Sequence, residues 1–334
     1  MTAVAAAGVP IRPLIDGLQY CRWSRRIFEE MRQAGLTAVH ATVSYHGGFR
    51  QCVELLADWN RRFRDHADLI VPGRSGADLD GAAATGRTAI VLGLQNPLPV
   101  EDDLGLVQVL HALGIRVMQL TYNVQSLLGS GWQEPTDGGL TRMGALVVAE
   151  MNRLGMLVDL SHAGERTALE AIACSARPVT VSHANPIWWR NTRRNVSRPL
   201  CVALAAGNGL LGLSLYPHHL PEGPDTTLAR FCAMAADAAS ILGVDRIGIG
   251  SDLCQDQPDD VVRWMREGRW LPPDPTPVAF PPQPAFFRSA LDLPRLAEGL
   301  LAHGFSEAEA GKVLGGNWLR FMRDAFQPGP EQHP

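Results

Sequence analysis

The stretch LVDLSHAGERTALEAI, Leu157 to Ile172, runs as an apolar strand into Ser161 and His162 and turns at once into a helical pattern. The same figure returns in VTVSHANP, where Val179 to Val181 lead into Ser182 and His183. Two histidines at the ends of neighbouring apolar runs point to one shared site. Working outward, eight such runs can be counted, at 13–20, 37–43, 89–95, 117–122, 157–161, 179–182, 210–216 and 246–252. Amphipathic stretches such as TRMGALVVAEMNRLG and LARFCAMAADAASILG separate them, several closed by the glycine that suits a helix C-terminus. Eight strand-helix units predict an α/β protein of the (β/α)8 TIM barrel type. An open doubly wound sheet fits less well, because IDGLQYCRWS replaces a phosphate-binding G-x-G-x-x-G at the first strand-to-helix turn.

One barrel domain over 1–334 is expected, with no internal repeat. The proline-rich stretch 270–287 excludes a helix or a central strand and reads as a long loop after the eighth strand. The tail 292–326 reads as two helices joined at Gly304.

A net charge of −4 with 46% hydrophobic residues gives no bias toward nucleic acid, so a small molecule is the expected partner. Lys312 is the only lysine, and the arginines are scattered. The six cysteines are widely spaced without a C-x-x-C, as reduced packed thiols would be. The N-terminal MTAVAAAGVPIRP lacks the basic flank and apolar length of a secretory signal, and no run approaches the roughly 18 apolar residues of a membrane span. A soluble, cytoplasmic protein without a membrane partner is the expectation.

A TIM barrel carries its chemistry at the C-terminal strand ends. Here these are Leu18 and Tyr20, Gln95, Tyr122 with Asn123, His162, His183, Tyr216 and Asp252. Two imidazoles and a carboxylate suit a hydrolytic metal, or a proton carrier beside a metal-bound water. Arg194, in WWRNTRRNVS, is placed to hold a substrate carboxylate through two parallel hydrogen bonds. Asp16, beside Gly17, reads as a buried hydrogen-bond acceptor. Seven further histidines, at 40, 46, 66, 111, 218, 219 and 303, lack the strand-end context and read as structural or surface residues.

The pieces IDG, MQLTYN, GLTRMGALVVAEMNRLGMLVDLSH, PVTVSHANP, RRNV, GIGSD and VLGGNWLRFM, in this order, resemble the renal or membrane dipeptidases, peptidase family M19 of the amidohydrolase superfamily. The resemblance implies a (β/α)8 barrel and a centre of two zinc ions. It also implies His162 and His183 as the histidines of one metal position, Asp252 as acid and base, Arg194 on the substrate carboxylate, and a homodimer. Three positions depart from the pattern. Leu18 and Tyr20 stand where the family has a His-x-Asp ligand pair, Gln95 where it has a bridging glutamate, and Tyr122 where a histidine faces the substrate. Divalent ions about 3.5–4 Å apart repel strongly unless carboxylates neutralise them, and Asp252 is the obvious carboxylate left.

The expected cofactor is therefore one divalent metal, zinc in the family's manner, or none. His162 and His183 would hold it, with Gln95 or Asp252 and water filling its shell. Tyr20, Tyr122, Asn123 and Arg194 would meet the substrate. The expected function is hydrolysis of an amide in a dipeptide or small carboxylated amino-acid derivative. The alternatives are a metal-independent lyase or hydrolase acting on an amino-acid-derived metabolite, and a non-catalytic small-molecule-binding barrel.

Overall fold

A computed structural model of the chain describes residues 12–268 and 280–329. Its strands are β1 (Leu14–Gln19), β2 (Leu36–Ser44), β3 (Ile70–Pro72), β4 (Thr88–Leu94), β5 (Ile115–Gln119), β6 (Leu157–Asp159), β7 (Thr180–Ala184), β8 (Leu210–Leu213) and β9 (Ile247–Ile249). They pair in the order β1-β2-β4-β5-β6-β7-β8-β9, each parallel to the next. The eight expected runs become these eight strands. The ninth, β3, pairs with β4 outside the ring and was not anticipated. Three residues ending in Pro72 are too short to show a period.

The ring closes where β1 meets the residues after β9. Gln19 bridges Leu253 in parallel, Tyr20 N–H donates to Leu253 O at 3.0 Å, and Asp252 N–H donates to Leu18 O at 3.1 Å. The buried carboxylate of Asp16 holds this seam as the expected acceptor. It takes the Ser251 N–H at 2.7 Å, the Ser251 hydroxyl, the Leu18 N–H at 3.2 Å and the Gln19 amide at 2.7 Å.

Helices on the outside follow from their caps. Ser24, Ser75, Thr141, Ser197 and Thr227 each accept an N–H of the first turn of the helix they open. Gly155 ends the helix Arg142–Leu154 at φ 78°, a conformation that favours glycine. Between helices and strands lies a continuous apolar layer that includes Phe28, Met118, Phe231 and Leu300.

The C-terminal tail differs from the two helices expected. Gly304 does separate them, but the second part is divided into Glu307–Gly311 and Asn317–Ala325 by a π-turn. The turn brings Gly315 against the backbone of Pro13, where an added Cβ would stand 2.3 Å from its carbonyl oxygen. Of the proline-rich stretch, 270–279 lies outside the described residues, and 280–287 is loop as expected.

The π-turn delivers Trp318 to the N-terminal end of the barrel. Its ring packs with Ile15, Ala38, Val91, Val117, Leu157 and Leu210, drawn from six strands. Its indole N–H donates to Ile249 O at 2.8 Å. The space exists because β1 and β9 offer glycines: a Cβ on Gly17 or Gly248 would lie 2.3 or 2.5 Å from ring atoms. Trp318→Ala is expected to cost roughly 3–5 kcal/mol through the cavity it leaves. Denaturant unfolding checks this, and a midpoint equal to wild type would show that the ring is not the plug described.

Candidate active site

All of the strand-end residues singled out above reach the same end of the barrel. Tyr20, Gln95, Tyr122, Asn123, His162, Arg194 and Asp252 line one pocket of about 600 Å³. His183 sits directly behind, in contact with His162. Three of these side chains are aimed by unusual backbone: Asn123, His162 and Asp252 have φ of 61°, 67° and 58°. Left-handed conformations at non-glycine residues cost energy and persist where the surrounding fold imposes them.

The protonation of the two imidazoles follows from their partners. Trp132 Nε1–H, which can only donate, lies 2.7 Å from Asn123 Oδ1, so that atom is the amide oxygen. His162 Nδ1, 2.7 Å from the same oxygen, therefore carries a hydrogen. On the other ring, the Ser182 hydroxyl donates to Asp159 Oδ2, which leaves Ser182 Oγ to accept from His183 Nδ1 at 2.7 Å. Asp159 is itself fixed by the N–H groups of Ser161 at 3.0 Å and Ser182 at 2.9 Å and by the Gln119 amide at 3.0 Å.

Both neutral rings thus present bare Nε2 lone pairs, and these face each other at 3.0 Å. Such an arrangement is repulsive unless a proton or another cation stands between the nitrogens. A proton is disfavoured, because burial first and the Arg194 guanidinium next hold both imidazoles well below their ordinary range.

Arg194 is buried and donates through Nη2 to His183 O at 2.9 Å, while its Nε has no partner. The Arg194 side chain also lines the pocket, and a guanidinium there is suited to an incoming carboxylate. Asp252 is buried too. Desolvation pushes its carboxyl up to about 7, against the opposing pull of Arg194. That value suits a group that must both accept and return a proton near neutrality.

The substituted positions form a coherent alternative surface. Leu18 and Tyr20 are packed with Cys254, Val262 and Met265 in an apolar cluster. Gln95 is held by its amide nitrogen on Thr42 Oγ1 at 2.8 Å. The Tyr122 ring lies over His162, with centroids 4.4 Å apart.

A two-ion centre does not fit this donor set. Among the described residues there is no group of three or more His, Cys, Asp or Glu placed to hold a metal ion. What remains fits a single ion between two imidazoles whose Nδ1 atoms are locked from behind, the usual support of a ligating histidine. With fewer than three protein ligands, binding should be weaker than in an ordinary catalytic zinc site.

Sequence reading missed several residues that complete the pocket. His218 and His219 line it, as do Trp132, Arg266 and Phe280. His219 follows no strand directly; a short 3-10 turn after β8, Pro217–His219, carries it in, and Ser214 Oγ holds its Nδ1 at 2.8 Å. The adjacent pair His218-His219, two residues past the strand-end Tyr216, was the available signal.

Residues 24–263 match the model of the membrane dipeptidases, peptidase family M19. The chain belongs to this family. An amidohydrolase from Pseudomonas aeruginosa is 37% identical, with a TM-score of 0.90 over 94% of this chain and 96% of that one. The same fold is also seen in a metallopeptidase from Rhodobacter sphaeroides bound to a phosphinate mimic of L-Ala-D-Ala, at 18% identity and a TM-score of 0.77, covering 94% and 99% of the two chains. Dipeptidase aclJ of Aspergillus oryzae is 27% identical over 271 residues, 79% of this chain. This M19 chain spans between 42% and 61% of the length of the curated dipeptidases it matches. None of its described helices is long and apolar enough to cross a membrane.

The raised Asp252 carboxyl fixes a sign for stability. The folded chain binds this proton more tightly than the unfolded chain, whose value is near 3.8, so the contribution is complete below about 4 and declines as the pH rises to about 7. Asp252→Asn should remove that decline. Unfolding free energy measured from pH 4 to 8 in both proteins tests it, and parallel curves would rule it out.

Proposed function

We propose that this M19 chain hydrolyses the amide bond of a dipeptide or similar small carboxylated compound, with one divalent cation, zinc by family likeness, held by His162 and His183. The observation that carries the reading is the pair of inward-facing Nε2 lone pairs at 3.0 Å. Two neutral imidazoles fixed in this way are suited to a cation held beside them, within reach of both Nε2 atoms.

When bound, such an ion supplies a water of lowered pKa and polarises a carbonyl. The remaining work belongs to the side chains. Arg194, whose side chain lines the pocket, anchors the substrate carboxylate and so places the scissile amide over the His162 side of the pocket. Asp252 accepts a proton from the attacking water and returns it to the amide nitrogen as the C–N bond breaks, leaving a carboxylic acid product and a free amine. Asn123 and Ser182 keep the imidazole hydrogens on Nδ1, and the Tyr122 ring holds His162 in place.

Metal content of protein purified without chelators, read by plasma mass spectrometry beside a His162→Ala/His183→Ala variant, tests the proposal. About one ion per chain, lost in the variant, together with loss of dipeptide hydrolysis in chelator, is the expected result. Full turnover in chelator without metal would overturn it and leave His162, His183 and Asp252 as metal-free acid and base groups. Ser182→Ala frees the His183 tautomer and should weaken ion affinity roughly 10–100-fold without unfolding the chain. A metal titration of the variant reads this directly, and unchanged affinity would remove Ser182 from the supporting role.

A further inference from the structure

We infer that the pocket is built for an amide whose acyl side carries no ammonium group, an N-acyl amino acid with a short aliphatic acyl chain in preference to a free dipeptide. The inference rests on the hydrolase reading above and concerns the other end of the substrate. A free dipeptide presents a carboxylate at one end and an ammonium at the other. Arg194 meets the first. Among the described lining residues no anionic group is left for the second.

Among the described lining residues Asp252 is the one carboxylate, set against the guanidiniums of Arg190 and Arg194. Asp252 is already engaged at the scissile bond, and Arg194 is its charged neighbour. The wall positions at which the family resemblance places further carboxylates are the neutral Tyr20 and Gln95. A cation at the histidine pair only adds to the positive sign.

The wall is instead apolar on one side. Tyr20, Val262, Met265 and Phe280 all line the pocket and belong to one cluster built on the buried Leu18. An alkyl chain gains from contact with such a surface, whereas an ammonium loses its hydration there without gaining a partner. The same substitutions that remove the second metal position thus create an acyl-chain wall.

The test uses a near-isosteric pair, glycyl-X and propionyl-X, in which a methyl replaces the ammonium, across a panel of C-terminal amino acids X of both hands. Wild-type protein is assayed for kcat/KM. Binding is read separately by calorimetry with the uncleavable ketomethylene isosteres of the best pair, or of the alanine pair where neither is cleaved. Propionyl-X is expected to be favoured by about tenfold or more, the discrimination a site shows against an unpaired polar group. Tighter binding of the propionyl isostere with no turnover of either compound would keep the inference and sink the hydrolase reading. Equal or better use or binding of the glycyl compound, or no binding of either isostere, would overturn the inference.

Discussion

The carboxylate of Asp16 is the constraint on which the site depends. A parallel barrel closes only if its first and last strands find each other, and here β9 is three residues long. Asp16 compensates by gathering four hydrogen bonds from both sides of the seam. Its burial nevertheless outweighs those bonds and lifts its pKa to about 6, so the seam is held at an electrostatic cost. The register it sets puts Asp252 beside Leu18 and Tyr20 beside Leu253. Asp252, the proposed proton carrier, and the apolar wall are therefore placed by one buried side chain that never touches the pocket.

Asp159 plays the corresponding part across the barrel. By taking hydrogen bonds from the backbones of both Ser161 and Ser182, it ties the ends of β6 and β7 together. Through the Ser182 hydroxyl it also dictates which nitrogen of His183 carries the hydrogen. The repeated Ser-His figure has a physical reason: in the second copy the serine orients the imidazole beside it, and in the first it donates its hydroxyl to that orientation from the neighbouring strand. These supports hold the His162–His183 pair in place beside a first strand that ends in Leu18 and Tyr20.

Much of this was legible in the sequence because strand ends in a barrel all point one way. Reading the last residues of the apolar runs found His162, His183, Asp252, Tyr20 and Gln95, and the hydrogen-bonding role of Asp16. Periodicity could not reveal β3, which has three residues, or the π-turn that breaks the C-terminal tail to insert Trp318. His219 and Trp132 enter the pocket from loops, whose path depends on tertiary contacts such as Ser214 to His219 and Trp132 to Asn123. The direction of the imidazole lone pairs was equally hidden, since it is decided by an indole and a carboxylate distant in the chain, Trp132 through Asn123 and Asp159 through Ser182.

The left-handed backbone at Asn123, His162 and Asp252 sets a limit on how this protein can be improved. Each of these residues sits in a conformation that glycine would occupy with less strain, so the most direct way to relieve the fold is to delete a group on which the proposed chemistry relies. Stability and activity are opposed at these three positions. Selection or engineering for heat resistance alone would drift toward a sturdier barrel with an empty centre, whereas gains compatible with turnover must come from elsewhere in the shell.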